Sequence, residues 1–194
     1  MDQPKDAQYP ILTFETQKEF RDWMEKTSQE QVGIWLKFAK KGTGITTINY
    51  DLALEIALCY GWIDGQSKRL DETYYLQKFT PRGKKSIWSK INRENVLRLI
   101  KEKKMKPQGL LAVDAAKADG RWDAAYDSPK DMKVPEDFLK ELKKDKKAYE
   151  FFLTLNKTNI YAIAFRLQTA KKEETKQRRI SAFIEMLKEG KKIN

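Results

Sequence analysis

The run over residues 61–92, GWIDGQSKRLDETYYLQKFTPRGKKSIWSKIN, limits the possible folds more than any other stretch. Apolar residues in ordinary core-forming sequence repeat with a helix or strand period. Here directional polar groups (Asp64, Gln66, Arg82, Ser86, Ser89, Asn92) alternate with large amphipathic rings instead. Gly61 follows an apolar helical pattern and fits the position just past a helix end, where glycine takes a left-handed turn without strain. Trp62 opens an extended segment. Leu70-Asp71-Glu72 makes a polar turn, and residues 73–79 are rich in β-favouring side chains. Pro81 and Gly83 end that second segment. The run therefore predicts a helix end, an antiparallel hairpin and a new helix start.

The flanking sequence predicts what surrounds the hairpin. Residues 1–12 read as a loosely held arm. Thr16 and Glu19 have capping-box spacing, and Phe20, Trp23 and Met24 form one stripe of a first helix ending near Lys26. Residues 32–38 alternate as a strand, with Val32, Ile34, Leu36 and Phe38 on one face. Asn49 caps a second helix over residues 50–60, with Leu52, Ile56 and Cys59 inward. The loop Lys40-Lys41-Gly42-Thr43-Gly44 lacks the G-x-x-x-x-G-K-S/T spacing of a phosphate loop. A third helix starts at Ser89 or Asn92, carries Val96, Leu99 and Ile100 inward and Arg93, Lys101 and Lys104 outward, and stops before Pro107. An Ala-rich helix over residues 109–118 ends at Asp119-Gly120, and residues 121–126 pack back onto the body. Residues 127–134 read as a linker. Beyond it, Pro135 suits a helix N1 position, Asp145 caps a second helix, Thr158 a third, and a last helix precedes Gly190. The fold class is α+β: a small antiparallel sheet of about three or more strands packed with helices (1–127), followed by an α-helical C-terminal module (128–194).

Composition narrows the chemistry. The 194 residues include one cysteine and no histidine. No intrachain disulfide and no Cys-based or His-ligated zinc site can form, and Ser-His and Cys-His nucleophile systems are excluded. Cys59 falls in an apolar helical pattern and reads as core. No metal or cofactor is expected. An enzyme on this chain would rely on carboxylates, lysine, arginine or tyrosine, with Asp71 and Asp123 as second acids to Asp64; a non-enzymatic protein is the favoured class. No run approaches the roughly 18 apolar residues of a membrane span. The N-terminus, MDQPKDAQYP, lacks the basic-then-apolar order of a signal peptide, which predicts a cytoplasmic protein. Net charge is +11. It is concentrated in residues 62–106, with 13 basic and 5 acidic side chains, and in 130–194, with 17 and 10. Such regions attract nucleic acid, anionic lipid or acidic ligands, or are solvated lysine faces.

Each candidate residue carries a functional and a structural reading. Asp64 anchors a ligand or caps its own turn. Gln66 lies one strand period away, so alternation puts both on one face. Arg82, presented after Pro81, binds a carboxylate or phosphate bidentately or forms a structural pair, with Asp64 as the nearest choice. Ser86, Ser89 and Asn92 satisfy helix-start N–H groups or, with them, hold an anion. Trp62 and Trp88 stack a flat ligand or fill the core. Together these eight predict a cleft for a small anionic or aromatic ligand, or for a partner, between the sheet and the third helix. The alternative partner is nucleic acid, using Arg82, Lys84, Lys85 and Lys90 beside Trp88 and Tyr75. Arg178 and Arg179 on the last helix fit a solvated face as well as a DNA-reading helix.

Several of these strings occur together in a known family. GWIDGQ (61–66), KFTPR (78–82), SIWSKIN (86–92), M-x-P-x-G (105–109) and DGRWDAAY (119–126), with VPEDF, TAKKEETKQRRI and EMLKEGKK in the tail, resemble the YdeI/OmpD-associated family, also labelled bacteriocin-protection. The resemblance spans roughly residues 32–192. It implies an α+β body with a helical C-terminal part, and links to the bacterial envelope and to resistance against cationic peptides or bacteriocins. Members have been described as periplasmic, from which this chain departs in lacking an export signal. The resemblance implies no catalytic residues.

Overall fold

The structure is a computed structural model that describes residues 9–193. The chain divides into two compact units, Met1–Ala125 and Tyr126–Asn194. The first unit holds β1 (Ile11–Leu12), α1 (Gln17–Thr27), β2 (Ile34–Ala39), α2 (Tyr50–Cys59), β3 (Trp62–Arg69), β4 (Tyr74–Pro81), α3 (Lys90–Lys101) and α4 (Pro107–Ala118). The second holds α5 (Glu136–Leu142), α6 (Lys146–Leu153), α7 (Lys157–Gln168) and α8 (Glu173–Lys188). The fold is α+β, as the hairpin and the helical tail predict.

The four strands lie in the order β1-β2-β4-β3, with β1 parallel to β2 and the other pairs antiparallel. The 61–92 run forms the hairpin β3–β4, its turn held by Asp71, whose carboxylate accepts from the Thr73 and Tyr74 N–H groups, each at 2.7 Å. Those two N–H groups hold the Asp71 carboxyl below its usual range. Two expectations about the strands change. Residues 1–8 of the expected arm lie outside the described residues, and Ile11-Leu12 form a strand, because the open edge of β2 offers partners: Trp35 N–H donates to Pro10 O at 2.9 Å. Val32 is 70% exposed and precedes the strand, since Gly33 breaks the alternation before Ile34.

Caps set the helix boundaries. Thr16 and Glu19 form the full capping box of α1, Asn49 caps α2 through the Asp51 N–H, Ser89 caps α3 through the Asn92 N–H, and Asp145 caps α6 through the Ala148 N–H. Two caps differ from expectation. Asn156, not Thr158, caps α7, its side-chain Oδ1 accepting from Asn159 N–H at 2.9 Å. Pro135 occupies the N-cap of α5 rather than its first helical position. The segment over 127–134 is tied down: Asp127 and Gln168 exchange two hydrogen bonds, and Ser128 Oγ donates to Asp131 at 2.6 Å.

The core of the first unit lies between the helices and one sheet face. Ile34, Leu36, Phe38 and Phe79 from the sheet meet Phe20, Met24, Ile56, Leu58, Val96 and Leu99 from the helices. Leu52 is 41% exposed, contrary to the inward position predicted for it, because Ala53, Leu54, Ala57 and Leu58 supply the buried positions of α2. Arg93, expected on the outer face of α3, is instead half-buried: its Nη1 donates to Trp122 O at 2.9 Å. The second unit has its own core of Phe138, Leu142, Phe152, Ile163, Leu167, Ile180 and Leu187.

One contact fixes how α4 meets α2. Cys59 O accepts from Lys106 N–H at 3.0 Å, and a Cβ at Gly109 would stand 2.2 Å from that carbonyl oxygen. No side chain fits there without moving backbone. Gly109→Ala is expected to destabilise by at least the ~1–3 kcal/mol of a forced overpacking. Gly120→Ala meets nothing within 4 Å and strains only its φ of 77°, at roughly 1–2 kcal/mol. Urea midpoints of the two variants test this; an equal or smaller loss for Gly109→Ala contradicts the packing described.

Candidate functional site

β4 ends at Pro81, and the Arg82 N–H donates to Gly61 O at 2.9 Å, joining the hairpin's exit to its entry. The next turn closes on itself: Ser86 N–H donates to Gly83 O, and Gly83 N–H to Ser86 Oγ, each at 3.0 Å. This turn leaves Lys84 exposed, half-buries Arg82 and buries Trp88, 2% exposed. The Arg82 guanidinium carbon lies 3.5 Å from the Trp88 ring centroid, and its Nη1 donates to Ile87 O at 3.2 Å. Trp88 in turn meets Trp122 edge-to-face at 4.9 Å. The Trp88 indole N–H is buried with no acceptor among the described residues. That costs about 1–3 kcal/mol, so the ring earns its place through its face and its packing.

A second guanidinium comes from the end of α4. Arg121 is 9% exposed, and its Nε donates to both Asp119 oxygens at 2.8 and 2.7 Å. Its Nη1 donates to Ser86 O at 2.9 Å. Arg121 therefore ties the loop after α4 to the turn after β4. Between the two lies a groove of about 360 Å³, lined by Arg82, Gly83, Lys84, Ala112, Ala115, Asp119 and Arg121. Three cations and one carboxylate face a small apolar wall. Stacking on Trp88 holds the Arg82 guanidinium, whose Nε and Nη2 are buried, and pairing with Asp119 holds that of Arg121.

The eight residues singled out in the sequence do not share one cleft. Arg82 lines the groove, Ser86 O accepts from Arg121, and Trp88 stacks on Arg82. Ser89 and Asn92 are buried at the start of α3, 9% and 8% exposed. Trp62 is buried, meets Trp23 edge-to-face at 6.1 Å and donates its Nε1–H to Ser28 O at 3.1 Å. Asp64 accepts from the Tyr50 hydroxyl at 2.8 Å. Gln66 is exposed at a β-bulge: Asp64 to Ser67 spans three residues where Phe79 to Gln77 spans two. The bulge breaks the alternation that would have set Gln66 beside Asp64. Asp71 is the hairpin's turn cap and Asp123 is exposed. Arg121 was not singled out. Its signal is the tight Asp119-Gly120-Arg121 turn, but its partner Ser86 is 35 positions away.

Residues 12–112 match a domain of unknown function (DUF8412). The chain belongs to the DUF8412 family. Residues 131–190, within the C-terminal unit, match the family described as bacteriocin-protection, YdeI or OmpD-associated. The GWIDGQ, KFTPR and SIWSKIN strings thus fall inside the DUF8412 match, and the YdeI/OmpD match is confined to the tail. Arg82 and Lys84 lie within the DUF8412 match and Arg121 beyond it. No curated protein and no solved structure matches the chain. No helix among the described residues is long and apolar enough to cross a membrane.

A second groove of about 500 Å³ lies between the Lys40–Ile45 loop and α2, over Phe38, Tyr50 and Tyr75. Burial, then the Asp64 charge, push the Tyr50 phenol well above its usual range. Burial also raises the Tyr75 phenol. Both phenols stay protonated at neutral pH, and that of Tyr50 donates to Asp64. Cys59 is buried, and desolvation raises its thiol to about 11 from 9.0. That leaves ~100-fold less thiolate at a given pH, and the thiolate is the reactive form. Native protein at pH 8 is expected to react with Ellman's reagent at least ~100-fold slower than urea-unfolded protein; equal rates contradict the buried placement.

Proposed function

We propose that the chain binds a small anion, one carrying a carboxylate or phosphate, in the groove between Arg82 and Arg121. The observation that carries this reading is the pair of immobilised guanidinium groups. One is stacked on Trp88 at 3.5 Å and the other is bonded to Asp119 and Ser86, with Lys84 beside them. Groups already held in place lose little side-chain freedom when a ligand arrives, and that favours affinity. The apolar wall of Ala112 and Ala115 suits a compact organic body next to the anionic group. For the chain as a whole we extend this to a resistance- or stress-associated role exercised by binding rather than turnover. The bacteriocin-protection description of the C-terminal family supports that extension.

Isothermal titration with inorganic phosphate, then with a panel of small carboxylates and phosphate esters, tests the reading. Wild type is expected to take up one equivalent of at least one of them. Arg82→Ala and Lys84→Ala are each expected to weaken binding about tenfold or more, the ~1.5–3 kcal/mol of a charged hydrogen bond. Because Arg82→Ala also uncovers Trp88, Lys84→Ala is the cleaner arm. Wild type that binds none of them, or variants that fold and bind as wild type does, would falsify the proposal.

A further inference from the structure

Leu52 is 41% exposed on a helix that is otherwise mostly buried, and it borders a cavity of about 90 Å³. The cavity lies where α1, α2, the end of α3 and the segment before α4 meet. Four of its lining side chains are apolar: Leu52, Ile56 and Cys59 from α2, and Leu99 from α3. Ile56, Cys59 and Leu99 are buried, so they make the floor, and Leu52 stands at the opening. Charge gathers at the same place. Arg21, Glu55, Lys104 and Lys106 also line the cavity. Glu55 pairs with Arg98, Lys104 with Glu102 at 2.7 Å, and Lys106 with Glu25 at 2.7 Å. Those three pairs cancel. Arg21 is exposed and has no ion-pair partner among the described residues. The field at the floor agrees. Desolvation dominates the raised Cys59 thiol, and of the charges acting on it Arg21, Lys104 and Lys106 pull it down while Glu55 pushes it up.

We propose that this cavity binds a small aliphatic carboxylate, with its hydrocarbon tail on Ile56, Cys59 and Leu99 and its carboxylate on Arg21. An apolar floor with one uncompensated cation at its mouth complements a molecule with one apolar end and one negative charge. A single guanidinium fork matches a planar carboxylate bidentately, whereas a phosphate dianion would meet only one unpaired charge. Size sets the length of the tail. About 90 Å³ is three times the ~30 Å³ that one water takes up in the liquid, which leaves room for roughly three to five carbons. An aromatic body is too large, since benzene fills a cavity of about 150 Å³. The cavity shares no lining residue with the Arg82–Arg121 groove, and the proposal does not rest on that groove.

Isothermal titration of the full chain with acetate, butyrate, hexanoate, octanoate and decanoate is the test. Affinity is expected to rise about fourfold per methylene, the ~0.8 kcal/mol of a buried CH2, and to level off at about hexanoate, where the tail fills the cavity. Arg21→Gln should weaken hexanoate binding about tenfold or more, the ~1.5–3 kcal/mol of a charged hydrogen bond. Lys84→Ala, in the other groove, should leave it unchanged. Cys59 is the only cysteine in the chain and reports on the floor. Iodoacetamide should modify native protein more slowly in saturating hexanoate, and hexylamine should give no such protection. Circular dichroism melts confirm that each variant is folded. The proposal is overturned if millimolar hexanoate gives neither heat nor protection, or if hexylamine binds as well. A rise in affinity that continues undiminished to decanoate overturns it too, as the mark of adsorption on exposed apolar surface. So does Arg21→Gln binding as wild type does, or losing no more than Lys84→Ala.

Discussion

The first unit depends on the burial of α2 nearly all round. Ala53, Leu54, Ile56, Ala57, Leu58 and Cys59 are all buried, and the helix packs against α1, β3, α3 and α4. A helix with so little solvent face must be approached closely, and α4 manages this only because Gly109 lets its backbone meet the Cys59 carbonyl. Gly61, at φ 74°, then turns the chain directly into β3. The hairpin, the turn at Arg82 and the start of α3 follow from where α2 ends, since Gly61 O is also the acceptor for the Arg82 N–H. The groove is a consequence of that helix packing: one wall grows from the hairpin's exit and the other from the helix that Gly109 seats.

The sheet divides its labour by face. The inner face supplies the core, and the Asp64–Tyr50 bond closes its far edge. The outer face buries Trp35 and Leu76, with Lys68 and Lys78 over the Trp35 ring, the behaviour expected of long side chains that cover apolar surface while their charges stay in water. Much of the basic charge of residues 62–106 therefore has defined positions: on rings, on the sheet, and at the mouth of a groove.

Local chemistry was legible in the sequence and distant placement was not. The capping box at Thr16 and Glu19, the caps at Asn49, Ser89 and Asp145, the left-handed Gly61 and the Asp71 turn were all readable because each is decided within a few residues. Asn156 prevailed over Thr158 by starting α7 two residues earlier, a boundary shift that local propensity does not resolve. β1 could not be read at all, since two residues become a strand only when an unpaired edge waits for them. The expected cleft failed as a single site for two reasons. Alternation assumes an unbroken strand, and the bulge after Asp64 breaks it. Trp62, Ser89 and Asn92 are polar-tipped residues whose needs the core itself meets or encloses. Arg82 and Trp88 were read together, but Arg121, which completes their groove, reaches it through tertiary packing from beyond α4.

On the proposed reading, Arg82 and Arg121 form one anion-binding site. The most direct measurement is a crystal of the full chain soaked in selenate, whose anomalous signal locates the oxyanion without bias. The expected result is a peak within hydrogen-bonding distance of both guanidinium groups, lost in crystals of Arg82→Ala. Selenate bound elsewhere while the groove stays empty would contradict the account.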